Sequence, residues 1–399
     1  MANGLAESMI ARGIVGAALV LGVAELPAQR PDTLHLRLLW EVADGVHPTA
    51  DSLGRLSGIA IDARGVVYVS DASDAKLWVF DPTGRSLPAI GRRGKGPGEF
   101  DSPTGIAIGP DGLLYVRDVT HVSRFGPDAT TGRLSRVADS FRGPAITDWM
   151  SARPSRFDAE GRLYYPQFGS VNRSVRSGTF HIYSRTGELI DSLDVPPFPG
   201  APSSTAWVRT SAEGGRMLNG LNHVPFAPLP TWDVTVRGTL VTADGRGYLL
   251  RETNASGALV REYRRDVGAL PIPADERRDS TAALRARRDS IGAPQGQVLG
   301  VPEEVHALRL PTTYPPIMAA YAGADGTLWV RRWVPSASEQ TVFDVFAADG
   351  RFRAVVVLPR RVALYPAPAL SLTDIAAVGV DPETGAYTVM RFRTSLLSP

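Results

Sequence analysis

The 399-residue chain contains no cysteine and only six histidines. Without thiols it has no disulfides, no thiolate nucleophile, no iron–sulfur cluster and no cysteine-ligated zinc. The histidines His35, His47, His121, His181, His223 and His306 are scattered, with no H-x-x-x-H spacing, so a histidine metal site would have to be assembled from distant segments. Charge of one sign is also lacking: 43 basic side chains face 41 acidic ones, a net charge of +2, spread too evenly to mark a nucleic-acid or membrane-surface partner. No G-x-S-x-G elbow is present, which argues against a serine-hydrolase arrangement of the α/β type.

Long apolar runs are equally scarce. One lies near the N-terminus, Ile14 to Ala24, after Arg12 and before Leu26-Pro27-Ala28. It is too short to span a bilayer and reads as an export signal over residues 1–28. A buried N-terminal helix is the competing reading. The expectation is therefore a periplasmic or extracellular protein with no transmembrane span in the mature chain, residues 29–399.

What the chain has in abundance is a repeat. LSGIAIDARGVVYVSD from Leu56, PTGIAIGPDGLLYVRD from Pro103, SRFDAEGRLYYPQ from Ser155, TLVTADGRGYLLRE from Thr239, MAAYAGADGTLWVRR from Met318 and IAAVGVDPETGAYTVMR from Ile375 share one pattern. Each is an alternating apolar run, a turn ending in glycine and a second β-rich run. The turn glycines are Gly65, Gly112, Gly161, Gly245, Gly326 and Gly385. The first three are roughly 50 residues apart and later intervals are stretched by insertions. Glycine suits these turns because a tight strand-to-strand reversal often needs a positive φ.

A second signature follows the first five, as in KLWVFDPTGRSL at Lys76 and TVFDVFAADGRF at Thr341, and supplies third and fourth strands. Such a four-stranded meander cannot bury its faces alone but can do so by stacking in a ring. The reading is an all-β, six-bladed β-propeller with blades near 56–102, 103–145, 150–195, 232–270, 315–360 and 371–399. The last blade is completed by an N-terminal strand at 34–42, because an incomplete blade leaves unpaired edges. A seventh blade within 191–232 is the competing topology. Pro273 to Gly292 is a helical insertion, with acidic residues in its first turn and a glycine stop; its thin apolar stripe places it on a propeller face.

The segment GRRGKGPGEFDSPTG, Gly91 to Gly105, carries three basic residues among its glycines. It lacks the G-K-[ST] and the following helix of a phosphate loop and reads as the connector from blade one to blade two. Together with the following IAIGPDGLLYVRD it resembles the NHL repeat of six-bladed propellers, in which a glycine-rich connector, an aromatic residue, a proline and G-x-A precede an aspartate-glycine turn. That resemblance implies the fold. It leaves function open, because similar propellers serve as binding domains, lyases and hydrolase-like enzymes.

Counting six residues past each turn glycine gives Asp71, Asp118, Gln167, Arg251, Arg332 and Arg391 as candidate ligand-binding positions, with His121 beyond Asp118. Two carboxylates on one side and three guanidiniums on the other suit a ligand charged at one end, such as a carboxylated saccharide or a peptide terminus. Propeller lyases and lactone hydrolases that this fold resembles hold a divalent cation in the tunnel; here the equivalent positions offer Asp71 and Asp118, with His121 beyond, and little else acidic, and the arginines oppose a cation. The expectation is a binding or scaffold module of the cell envelope, whose partner is an envelope protein, peptide or carboxylated saccharide, with no nucleic acid. The competing expectation is a metal-dependent lyase or hydrolase.

Overall fold

The computed structural model describes residues 34–44, 53–143, 155–167, 178–196, 204–210, 216–223, 225–292, 299–300, 310–381 and 383–396. The expected export signal lies outside them, as does the side chain of Gln167. Strand β1 (Leu34–Ala43) comes first. Blade one is β2 (Leu56–Ile61), β3 (Val67–Asp71), β4 (Lys76–Phe80) and β5 (Ser86–Ile90). Blade two is β6 (Ile106–Ile108), β7 (Leu114–Arg117), β8 (His121–Pro127) and β9 (Leu134–Arg142). Blade three is β10 (Arg156–Phe157), β11 (Leu163–Gln167), β12 (Gly178–Tyr183) and β13 (Leu189–Val195). After the hairpin β14 (Ser204–Thr210) and β15 (Arg216–His223), blade four is β16 (Thr231–Val234), β17 (Leu240–Ala243), β18 (Leu249–Thr253) and β19 (Leu259–Arg264). Helix α1 (Ala274–Gly292) and β20 (Leu299–Gly300) precede blade five: β21 (Ala319–Ala322), β22 (Leu328–Arg331), β23 (Thr341–Phe346) and β24 (Phe352–Leu358). Blade six is β25 (Ala369–Leu370), β26 (Asp374–Val380), β27 (Tyr387–Leu396) and, returning, β1. The chain is a six-bladed β-propeller closed by its N-terminal strand.

Packing explains the strand sequences. A strand inside a blade is covered on both faces by neighbouring blades, so β3 (VYVSD) and β22 (LWVR) are buried at every position. The outermost strand keeps one wet face, and β24 alternates accordingly: Ala354, Val356 and Leu358 are buried while Val355 and Val357 are exposed. Each inter-blade interface has its own apolar cluster. Tyr68, Leu77 and Ile106 join blades one and two, and Tyr115, Leu163 and Tyr165 join two and three. Phe180 and Trp232 join three and four; Leu250 and Val330 join four and five. Phe343 with Phe392 and Phe80 with Val378 complete the circuit through blade six to blade one.

Polar staples run through the same interfaces. Ser70 donates to the Thr104 carbonyl (2.5 Å), Arg117 to Pro166 O (3.3 Å) and Arg331 to Val362 O (2.7 Å), all from the ends of second strands into the next blade or the link that leads to it. Asp233 on β16 accepts from Arg156 of blade three (Nη2, 2.7 Å) and from the Ala322 amide of blade five (2.8 Å), tying three blades together. The ring closes where Trp40 of β1 donates to Pro82 O (3.2 Å) and Arg391 donates to the same carbonyl (3.2 Å).

Two register details differ from the sequence expectation. In blade four the turn between first and second strands is at Gly238 (φ +71°), and Gly245 turns between second and third. In blade six the first turn, Leu370 to Asp374, has no glycine; Ser371 closes it by donating its amide to Asp374 O (3.0 Å), and Gly385 again lies between second and third strands. Arg251 and Arg391 consequently lie on third strands, and the simple count past the glycine fails there. The segment that offered a seventh blade contains β14 and β15, which form a three-stranded sheet with β20 outside the ring of six.

Candidate functional site

In an antiparallel meander the odd strands run one way and the even strands the other. The turns between second and third strands therefore share a face with the links between blades, and the remaining turns share the opposite face. Both long insertions are inter-blade links, from blade three to four and from four to five, so both rise from this linker face. They also pair with each other: β14 of the first insertion runs antiparallel to β20 of the second, with Val208 opposite Gly300 and Arg209 opposite Leu299.

The glycine-rich connector belongs to the same face, and its charges hold the corner itself. Arg92 Nε donates to Glu99 (2.9 Å), whose other oxygen accepts the Gly96 amide (2.8 Å), and Arg93 donates to Ser73 O (2.6 Å). Gly91 has φ +81° and lies over the ring of buried Phe100, where a Cβ would come within 2.3 Å of Phe100 Cε2.

Asp71 and Asp118 end or follow second strands as expected and are buried, but their oxygens serve the backbone. Asp71 accepts from the Gly54 amide (2.8 Å), the Ser73 and Asp74 amides (3.1 Å each) and Trp78 Nε1 (3.0 Å). Asp118 accepts from the Asp101 and Ser102 amides (2.8 and 2.7 Å). Each thus clamps the link entering its blade's innermost strand. His121 Nε2 lies 3.7 Å from Asp118 Oδ2. Arg391 is buried against Asp374 (2.6 Å) and reaches Gly65 and Pro82, turns of the opposite face. Arg251 is exposed and paired with Glu262 (3.1 Å). These residues do not converge on one centre. Among the described residues, no group of three or more acidic or histidine side chains could hold a metal ion.

Burial opposes ionisation of Asp71, yet the Trp78, Asp74, Gly54 and Ser73 hydrogen bonds outweigh it and hold the carboxyl below its ordinary range. Buried Glu252 behaves alike: burial raises it, and Thr239 (2.5 Å), Tyr263 (2.6 Å) and Arg237 (2.7 Å) lower it further than burial lifts it. A depressed folded pKa contributes stability above the unfolded value, near about 4, that is lost as pH falls through the folded value. The urea midpoint is thus expected to be level above about pH 5 and to fall below about pH 4. Asp71→Asn should make that acid limb shallower. A midpoint unchanged down to pH 3 would contradict the assignment.

Arg332 is different. Its half-buried guanidinium has no hydrogen-bond or carboxylate partner among the described residues, and it opens into a cleft of about 490 Å³ between blades four and five on the linker face. One wall is aromatic: Trp333 stacks on Tyr314 (centroids 5.9 Å apart, 22° between planes), with Phe226 edge-on to Tyr314 at 5.7 Å. The insertion helix braces that wall, because Glu276 of α1 accepts from Tyr314 Oη (2.6 Å) and from the Ser336 amide (3.1 Å). The polar wall holds Arg246, Arg265 and Asp266. Buried Asp344 behind it accepts from Tyr248 Oη (2.7 Å) and pairs with Arg265. Sequence counting found Arg332 but not this cleft, whose other wall comes from two divergent insertions.

A family model described as a six-bladed β-propeller matches residues 51–130. No curated protein matches. Among solved structures, the chain is similar to the PQQ-bound aldose sugar dehydrogenase of Streptomyces coelicolor (15% identity, 92% of this chain and 99% of that one, TM-score 0.43). It is also similar to virginiamycin B lyase of Staphylococcus aureus (12%, 90% and 99%, 0.40) and to a protein of unknown function from Bacteroides caccae (11%, 82% and 94%, 0.39). Likenesses this distant carry nothing about what the chain binds or does. Among the described residues no helix is long and apolar enough to cross a membrane.

Proposed function

We propose that the chain is an exported, NHL-type propeller that serves the cell envelope as a binding or scaffold module, meeting its ligand or partner on the linker face. The observation that carries this reading is Arg332, whose guanidinium has no partner among the described residues, in a cleft walled by the two insertions. A binding surface needs exposed, unsatisfied recognition groups on a rigid support, and this face supplies both. The runner-up, a metal-dependent lyase or hydrolase, draws on the His121–Asp118 approach of 3.7 Å. Against it, the carboxylates of Asp71 and Asp118 already accept amide hydrogens that a cation would displace.

Titrating the purified chain with magnesium, calcium, manganese and zinc, and assaying a panel of lactones, separates the two readings. The binding-module reading expects no metal-dependent rise in thermal midpoint and no turnover. Turnover that requires metal and disappears in a folded His121→Gln chain would overturn it. Asp71→Ala should leave three amides and an indole N–H without their acceptor, costing about 2 kcal/mol or more in urea unfolding. That loss is expected with or without metal.

A further inference from the structure

We infer that the cleft between blades four and five binds a carboxylated sugar ring, a uronic-acid residue, with Arg332 holding the carboxylate and the Trp333–Tyr314 wall receiving the ring. This inference rests on the reading of the linker face as a binding face and names its ligand class.

The charge of the cleft selects a monoanion. Arg246, Arg265 and Arg332 line it, Asp266 opposes them, and Arg265 is already neutralised by Asp344. One unit of positive charge is left, centred on two guanidiniums, of which Arg246 is on the exposed rim and Arg332 is half-buried. A dianionic phosphate would meet the Asp266 carboxylate with only that single compensating charge, whereas a carboxylate matches it and fits the planar fork of a guanidinium.

The remaining lining selects the body of the ligand. Half-buried Trp333 presents its ring beside the charge, backed by the buried rings of Tyr314 and Phe226, and Pro315, Pro316 and Leu270 extend the apolar surface. A pyranose offers apolar C–H groups on its faces and hydroxyls around its edge. The faces suit the aromatic wall; the hydroxyls can donate to Asp266 and exchange hydrogen bonds with Thr313, both of which line the cleft. The volume of about 490 Å³ lies within the roughly 300–1,000 Å³ of small-molecule sites. The wall is preorganised, since Trp333 Nε1 donates to Ile317 O (3.2 Å) and Glu276 fixes Tyr314.

Calorimetric titration of the full chain with galacturonate, glucuronate and digalacturonate, against methyl galactoside, galactose 6-phosphate and a short peptide with a free carboxyl terminus, tests this. The uronates should bind, and the neutral sugar should be at least about tenfold weaker, as loss of one charge-assisted hydrogen-bonded pair implies. Arg332→Gln should cost uronate affinity by the same factor and Arg332→Lys should recover part of it. Trp333→Ala should weaken uronate and neutral sugar alike.

The assignment is overturned if the wild-type chain binds no uronate, if it binds the neutral sugar equally well, or if the phosphate or the peptide binds more tightly. Should Arg332→Gln not fold, the wild-type comparisons still decide. Absence of uronate binding while cross-linking through the linker face persists removes this ligand and keeps the binding module. Loss of both removes both.

Discussion

A chain that begins at Asp44, without β1, is expected to lose cooperative unfolding and to accumulate as aggregate. Strand β1 is paired with β27 from Leu34 opposite Leu396 to Ala43 opposite Thr388 and is the fourth strand of the sixth blade. Its removal opens the long edge of β27 and exposes Phe392 and Val389, which are fully buried. It also removes Trp40, whose ring packs on Phe80 (5.7 Å between centroids) and covers Gly84, where a Cβ would lie 2.7 Å from the indole. Trp40→Ala alone should cost about 3–5 kcal/mol, and the strand deletion more. Light scattering and urea unfolding report both effects. A peptide covering β1, added during refolding, should restore a soluble monomer; a truncated chain with the full-length midpoint would contradict the closure.

Asp233→Ala is the point substitution expected to be most harmful within the ring. It leaves the Arg156 guanidinium uncompensated at an inner-strand interface and frees the Ala322 amide, for a loss of about 3–5 kcal/mol. Burial works against the charge on Arg156, and Asp233 overrides it, raising that guanidinium above its ordinary value. Replacing both partners, as in Arg156→Met with Asp233→Leu, should recover much of the loss because no charge is then stranded. Recovery stays incomplete, since Ala322 and Val234 still lack the carboxylate that accepts their amides (2.8 and 2.9 Å). Equal unfolding free energies for wild type and Asp233→Ala would show that the staple is not formed.

The ring was readable because its grammar is local. Asp62, Asp111 and Asp158 each sit near a turn glycine and accept a hydrogen bond from a tyrosine on the following strand, Tyr68, Tyr115 and Tyr164. Those turn glycines carry the period, and the unpaired edge that a six-blade ring implies for its last blade points to residues 34–42. In blades four and six the count from the glycine misplaces Arg251 and Arg391, because Gly245 and Gly385 turn between second and third strands there. Tertiary pairing, not the turn residue, decides which reversal comes first.

The site was less legible. Asp71 and Asp118 looked like ligands because they fall at strand ends, but a strand-end carboxylate also satisfies the amides of the incoming link, and sequence does not separate the two uses. The inter-blade staples Arg117 and Arg331 occupy the position just before, and nothing in the repeat pattern marks them. Arg332 was found by register; its aromatic wall was not, because Phe226 and Tyr314 are far apart in the chain and meet only when the insertions fold against blade five.

Whether recognition belongs to the linker face is tested most directly by comparing the two faces of the ring. A photo-crosslinking residue placed at Arg246, on the rim of the cleft, and at Asp349, in an exposed turn of the opposite face, compares the two faces in living cells. Recognition on the linker face gives a discrete cross-linked species from position 246 that excess uronate or the Trp333→Ala change diminishes, and none from position 349. Cross-linking from position 349 alone, or equally from both, would contradict it.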